Sequence, residues 1–218
     1  MSKIQKPKPP AEPPRFAEPL PGIEWPEELT DDAIVEGGTI SGGEVAGQTA
    51  NRVSLRRLVF ERVTFTDNDL TRLELSDVIF DHCDLSNAQF SGAAIHRAVF
   101  RDCKIMGIDL SDTLLRDVRF EECYGDYANL RFADLKHAVF ETCSLNNADF
   151  YGSAFQKVHF QRSKLDHAQF TGTKLEGIDL SDCEFDTLLA EPDNVRGCII
   201  SLGQATAFLP LLGVVVKE

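Results

Sequence analysis

From Leu55 to Phe185 every fifth residue is large and apolar, with Gly125 the single lapse. The series opens Leu55, Phe60, Phe65, Leu70, Leu75, Phe80 and closes Phe170, Leu175, Leu180, Phe185. Two residues before each stands a second series of mostly small or β-branched residues, as at Ala88, Ala98, Ala128, Ala138 and Ala168. A period of five fits neither the α-helix nor an ordinary strand. It marks a repeat architecture, to be read before any local secondary structure.

A period of twenty lies on top. Phe60, Phe80, Phe100, Phe120, Phe140 and Phe160 share one column, and Cys83, Cys103, Cys123, Cys143 and Cys183 another, with Ser163 in its gap. Four five-residue units therefore make one turn of a four-sided solenoid. On each side the central residue and the one two before it point inward, and the other three face water. Residues twenty apart stack at the strand spacing of ~4.8 Å.

The runs CDLSNAQFSGAAI, NLRFADLKHAVF and CSLNNADFYGSAF resemble the pentapeptide repeat family, whose consensus is A(D/N)LXX. The resemblance covers at least residues 51–190. It implies an all-β solenoid, a right-handed quadrilateral β-helix with four pentapeptides per coil, here with a short C-terminal helix. Coils from 55 to 185 would give a rod of roughly 32 Å at ~4.8 Å each.

The organisation expected along the chain has four parts. Residues 1–30 read as a proline-rich, flexible leader. Trp25, with Ile23 and Leu29, is the first docking point, and Pro26 could open a helical turn through Glu27 and Glu28. Residues 31–50 lead into the β-helix in the same phase (Val35, Gly38, Ile40, Val45) and cover its first coil, since an open end invites edge-to-edge association. Residues 51–200 are the repeat β-helix. In residues 201–218, Ser201 and Gln204 form a capping-box signal for a short helix, which Pro210 ends or kinks, before strand-like Val214–Val216.

Composition narrows the chemistry. The formal net charge of −13 argues against direct binding to nucleic acid or anionic membranes. No apolar run reaches the ~20 residues of a membrane span. The N-terminus shows no signal-peptide core, and the cysteines read as unpaired, which points to the cytoplasm. A filled prism offers no concavity for catalysis. His82, His96, His137, His159 and His167 fall in different columns, and neither metal nor cofactor is expected. The inward cysteines read as small hydrophobes.

Function is left to the outward columns. One corner reads Glu61, Asp81, Arg101, Glu121, Glu141, and one face Asp69, Gln89, Asp109, Asn129, Asp149, Gln169. His96, Arg97, Arg116, Lys136, His137 and Lys157 form a basic corner. Val59, Ile79, Val99 and Val139, interrupted by Arg119, form an apolar stripe expected to face solvent, either under the leader or as a contact surface.

The family resemblance adds a functional expectation. One branch comprises DNA mimics that bind DNA gyrase or topoisomerase IV and confer quinolone tolerance. Gln204-Ala205 and Leu212-Gly213-Val214 with Val216 resemble the terminal helix and strand that join two such rods into a homodimer. This implies partner binding through Asp69, Asp109, Asp149, Glu61, Asp81, Glu121 and Glu141, and a dimer interface of Phe208, Leu209, Leu211, Leu212 and Val214. Two departures stand out. The array carries none of that branch's inserted loops. Residues 51–190 hold 16 Lys+Arg against 23 Asp+Glu, a net of −7, where ~32 Å of duplex carries about 19 charges. The alternative is a general protein-interaction scaffold.

Overall fold

The computed structural model describes residues 11–16 and 19–215. The first ten residues of the leader, residues 17–18 and Val216 lie outside the described residues.

The chain forms the expected quadrilateral β-helix. Its longest sheet stacks strands Ile34–Ser41, Ser54–Glu61, Glu74–Asp81, Ala94–Arg101, Leu114–Glu121 and Asp134–Glu141, all parallel, and ends at His159–Gln161. The register is uniform: Phe60 pairs with Phe80, Phe80 with Phe100 and Phe100 with Phe120. Other sides are held mostly by single bridges, such as Asp69 to Gln89 and Gln89 to Asp109, with two short strand pairs, Glu44–Ala46 on Thr64–Thr66 and Ala168–Gln169 on Leu188–Leu189. Each rung thus satisfies the next, as in the Arg62 N–H to Asp81 carbonyl bond of 2.9 Å.

The corners explain how five residues make one side. Two residues after nearly every central position the backbone enters the left-handed region, as at Asp67 (φ 51°), Arg97 (φ 49°) and Asn147 (φ 59°). Asp, Asn and Gly tolerate that region best, which is why polar residues crowd these positions. One left-handed residue per five turns the chain between sides.

The interior follows the twenty-residue columns. Rings of Phe60, Phe80, Phe100, Phe120, Phe140 and Phe160 stack face to face at centroid spacings of 5.0, 4.8, 4.8, 4.9 and 5.0 Å. All six are buried. Cys83, Cys103, Cys123 and Cys143 are free and buried. Their thiols donate to the carbonyls of Phe60, Phe80, Phe100 and Phe120 at 3.3–3.4 Å. Ser163 keeps that bond, to Phe140 at 3.3 Å, so the column selects a small donor as well as a small volume. Contact with the Cys123 thiol, together with burial, pushes the Cys103 thiol up to about 12. The lapse at Gly125 has a packing cause: a Cβ there would meet the side chains of Ile105 and Leu145 at 3.1 Å.

The leader departs from the free segment expected. Its described residues run along the rod: the Glu12 N–H donates to Asp117 at 3.2 Å and the Arg15 N–H to Asp77 at 2.9 Å. Gly22 bridges Thr39, and the Ile23 N–H donates to the Thr39 carbonyl at 2.9 Å. Ile23 packs where a Cβ on Gly38 would stand, its side-chain carbons 2.5 to 2.7 Å from that position. Trp25 lies 5.7 Å from the Phe60 ring. No helical turn forms at Pro26; Glu27 and Glu28 make a bend. The apolar stripe is only partly open to solvent. Val99 is 5% exposed and Val139 is buried, Val59 and Ile79 are half-buried, and the Arg119 side chain reaches along the same side to Glu141 at 3.0 Å.

The C-terminal segment forms the expected short helix, of 3-10 type, over Leu202–Phe208, followed by a second, Pro210–Leu212. The strand expected after it does not form at Val214 and Val215. The proline leaves room for only one more turn. Gly213, at φ 73°, then ends the segment in the left-handed conformation that glycine adopts without cost. The Gln204 side chain accepts from the Ser201 N–H at 2.8 Å, the return half of the capping box.

Candidate functional site

Among the described residues no group of three or more His, Cys, Asp or Glu side chains is placed to hold a metal ion. The outward columns carry the chemistry, and the structure separates them. Glu61, Asp81, Glu121 and Glu141 stand at the corner after the Phe60–Phe140 column. Asp69, Asp109 and Asp149 stand on a face further round, and between them lies a side bearing Asp84, Lys104, Tyr124, Ser144 and Lys164.

The corner column is a charge ladder, balanced along much of its length. Arg101 donates to Glu121 at 3.2 Å and to Asp81 at 3.4 Å. Arg119 links Glu121 at 2.8 Å to Glu141 at 3.0 Å, and Arg162 closes on Glu141 at 2.5 Å. Burial works to raise the Glu121 carboxyl, but its bonds to Arg119 and Arg101 outweigh this and hold it below the usual range. His82 hydrogen-bonds Asp81, which holds its imidazole above the ordinary value. Glu61 accepts from the Ser41 hydroxyl at 2.9 Å.

The face column is less neutralised. Asp69 accepts from the Thr71 hydroxyl at 2.6 Å. Asp109 accepts from Asn129 and from the Ser111 N–H, both at 2.9 Å. Among the described residues, Asp149 is the one carboxylate of this column that pairs with a cation, Arg131 at 3.0 Å. Alternating Asp with Gln or Asn lets amides bond between carboxylates that would otherwise repel across a rung.

The basic corner is basic only in part. Arg97 holds Asp77 with two bonds of 2.6 Å; these come first among the causes that pull the Asp77 carboxyl down. His137 bonds Asp117 at 3.2 Å, and Arg116 pairs with Asp134. This is the side on which the leader docks.

The residues expected at a dimer interface divide. Phe208 packs against Phe185 of its own last coil at 6.1 Å, and Leu209 and Leu211 are half-buried. Leu212 and Val214 are exposed, as are Leu202 at 93% and Val215. Sequence reasoning missed Leu202, which precedes the apolar run. It also missed Tyr124, Tyr127 and Phe132, exposed on the sides flanking Leu130. A signal existed: these aromatics stand off the five-residue phase.

Together these features define a parallel β-solenoid with four five-residue sides per coil, filled by stacked side chains. The profile of the pentapeptide repeat region matches residues 73–150 and 120–170, and the chain carries the repeat of that family. No curated protein matches it. Among solved structures it is similar to trypsin-treated QnrB1, a plasmid-mediated fluoroquinolone resistance protein. That match has 21% identity, covers 86% of this chain and 99% of that one, and gives a TM-score of 0.43. HetL, a pentapeptide repeat protein involved in heterocyst differentiation regulation from the cyanobacterium Nostoc, matches at 18% identity. It covers 78% of this chain and 84% of that one, with a TM-score of 0.43. Likenesses this loose carry nothing about function. No helix among the described residues is long and apolar enough to cross a membrane.

Proposed function

We propose that the protein is a non-catalytic DNA mimic of the cytoplasm that binds a type II topoisomerase, DNA gyrase or topoisomerase IV, and so modulates quinolone sensitivity. The observation that carries this reading is the face column of Asp69, Asp109 and Asp149, which presents carboxylates at regular rungs with, among the described residues, only Asp149 paired to a cation. The corner column contributes less, because Arg101, Arg119 and Arg162 neutralise much of it. Two rods would meet through the exposed Leu202, Leu212, Val214 and Val215. The test is supercoiling by purified gyrase with increasing protein, wild type beside Asp69→Lys with Asp109→Lys. Inhibition should weaken in the variant and fall with salt, as steering charges are screened. Absent inhibition at micromolar wild type, or equal inhibition by both, would leave the second reading.

That second reading is a general protein-interaction scaffold. The arginine ladder favours it, since side chains spent on neutralising one another make a stiff surface rather than a phosphate-like one.

A further inference from the structure

Between Phe60 and Phe185 every phenylalanine but Phe132 stands at an inward fifth position. Phe132 and Tyr127 instead occupy left-handed corners, at φ 56° and 61°. The other non-glycine residues in that conformation are Asp, Asn, Arg, Lys, His, Glu and Thr. A bulky side chain there is a conformational outlier. Burial does not compensate, for Tyr127 is 63% exposed and Phe132 53%. Strain kept at a site that adds nothing to the core is the kind of outlier from which a functional role is inferred.

The two rings stand at opposite edges of one side, with Asn129 between them and Asp109 and Asp149 on the adjoining rungs. Tyr151 packs edge-on against Phe132 at 5.5 Å. Phe132 lies across the next coil at Gly152, where a Cβ would meet the ring at 2.9 Å. Tyr124, also exposed, lies on the preceding side. It already holds one cation: the Arg131 guanidinium lies 4.6 Å over the Tyr151 ring while pairing with Asp149. Asp112, exposed, directly precedes Phe132 in its column.

We propose that this side is a docking surface for a protein segment rich in arginine or lysine. Tyr127, Phe132 and Tyr151 are its anchors, and Asp109 and Asp112 its charge partners. Tyrosine and arginine dominate the energetics of interfaces, and an aromatic face attracts a guanidinium as Arg131 illustrates. The carboxylates select a cation and reject an acidic segment. The inference goes beyond the topoisomerase reading and stands whichever basic partner the rod meets.

The test uses the full chain and a fluorescent arginine-rich peptide, read by anisotropy, with a glutamate-rich peptide as control. Wild type should bind the first only. Tyr127→Asn with Phe132→Asn should weaken binding about tenfold or more while the melting temperature holds or rises, since asparagine accepts the left-handed corner. Asp109→Asn with Asp112→Asn, isosteric, should weaken it too. No binding by wild type, equal binding by the variants, or equal uptake of the acidic peptide would overturn the proposal. So would self-association, or binding of a short DNA duplex, that disappears in the aromatic variant, since either would assign the surface to another occupant. None of these readouts involves a topoisomerase, so the two readings fail separately.

Discussion

The two ends of the solenoid face the same problem and solve it differently. At the N-terminal end the chain returns to fill its own first coil. Ile23 fits over Gly38, Trp25 lies on Phe60 and Leu29 is buried. Gln48 seals the backbone there: its side chain accepts from the Leu29 N–H at 2.8 Å and donates to the Glu27 carbonyl at 3.1 Å. At the C-terminal end Gln204 does the equivalent polar work, donating to the carbonyls of Leu180 and Cys183 at 2.8 and 2.7 Å. The apolar work is left unfinished, with Leu202, Leu212 and Val215 exposed. A repeat cannot cover its own last rung, so one end is closed by a non-repeating segment, while the other leaves apolar side chains exposed where we propose that a second rod meets it.

Cutting the apolar lid should have the largest effect. Trp25→Ala is expected to cost about 3 kcal/mol, the low end for a large aromatic since Trp25 is only half-buried. Gln204→Ala should cost about 1–3 kcal/mol by orphaning two buried carbonyls. Denaturant unfolding measures both. If Gln204→Ala proved harmless, the C-terminal segment would be ornament rather than a cap.

Next in size is the proposed contact between two rods. Leu202→Ser with Leu212→Ser should turn a homodimer into a monomer by light scattering, with each leucine contributing ~1.5–3 kcal/mol to the contact. The intrachain core should be untouched, because neither residue is buried. A wild type that is monomeric at high concentration would show that both ends are finished and erase the contrast.

The difference between the ends also marks what the sequence could disclose. The Leu55–Phe185 period announces the sides, the core and the column register, because each coil repeats one packing solution. Gln48, Gln204 and Ile23 carry no such signal. Their roles arise where the repeat stops and depend on which backbone groups remain unpaired. The acidic corner was visible as a column, but its neutralisation was not. Arg119 stands in the stripe column, and only its side-chain direction reveals that it spans Glu121 and Glu141. The leader misled because proline richness describes a free chain, whereas proline also suits an extended strap tied down at intervals.

That strap is the subtlest part of the N-terminal end, and pH should loosen it. Its described anchor is the Asp77 carboxylate, which accepts from the Arg15 N–H while gripping Arg97, with His96 close enough to add to the pull. A second tie runs from the Glu12 N–H to Asp117, which His137 and His96 also approach. The Arg97 bonds, offset in part by burial, leave the Asp77 carboxyl below its ordinary value in the folded chain. A group depressed in this way contributes stability above its unfolded pKa and loses it as pH falls through the folded one. Docking of the strap should therefore be constant near neutrality and weaken only in acid, below the usual aspartate range. Hydrogen exchange at the Arg15 amide, corrected for intrinsic rate, reads this directly. Protection should fall in acid, and Asp77→Asn should show the loosened level already at neutral pH, while the Phe100 amide in the rod stays protected in both. Protection at Arg15 that ignored both acid and the substitution would mean that the apolar contacts at Ile23 and Trp25 hold the leader without help from Asp77.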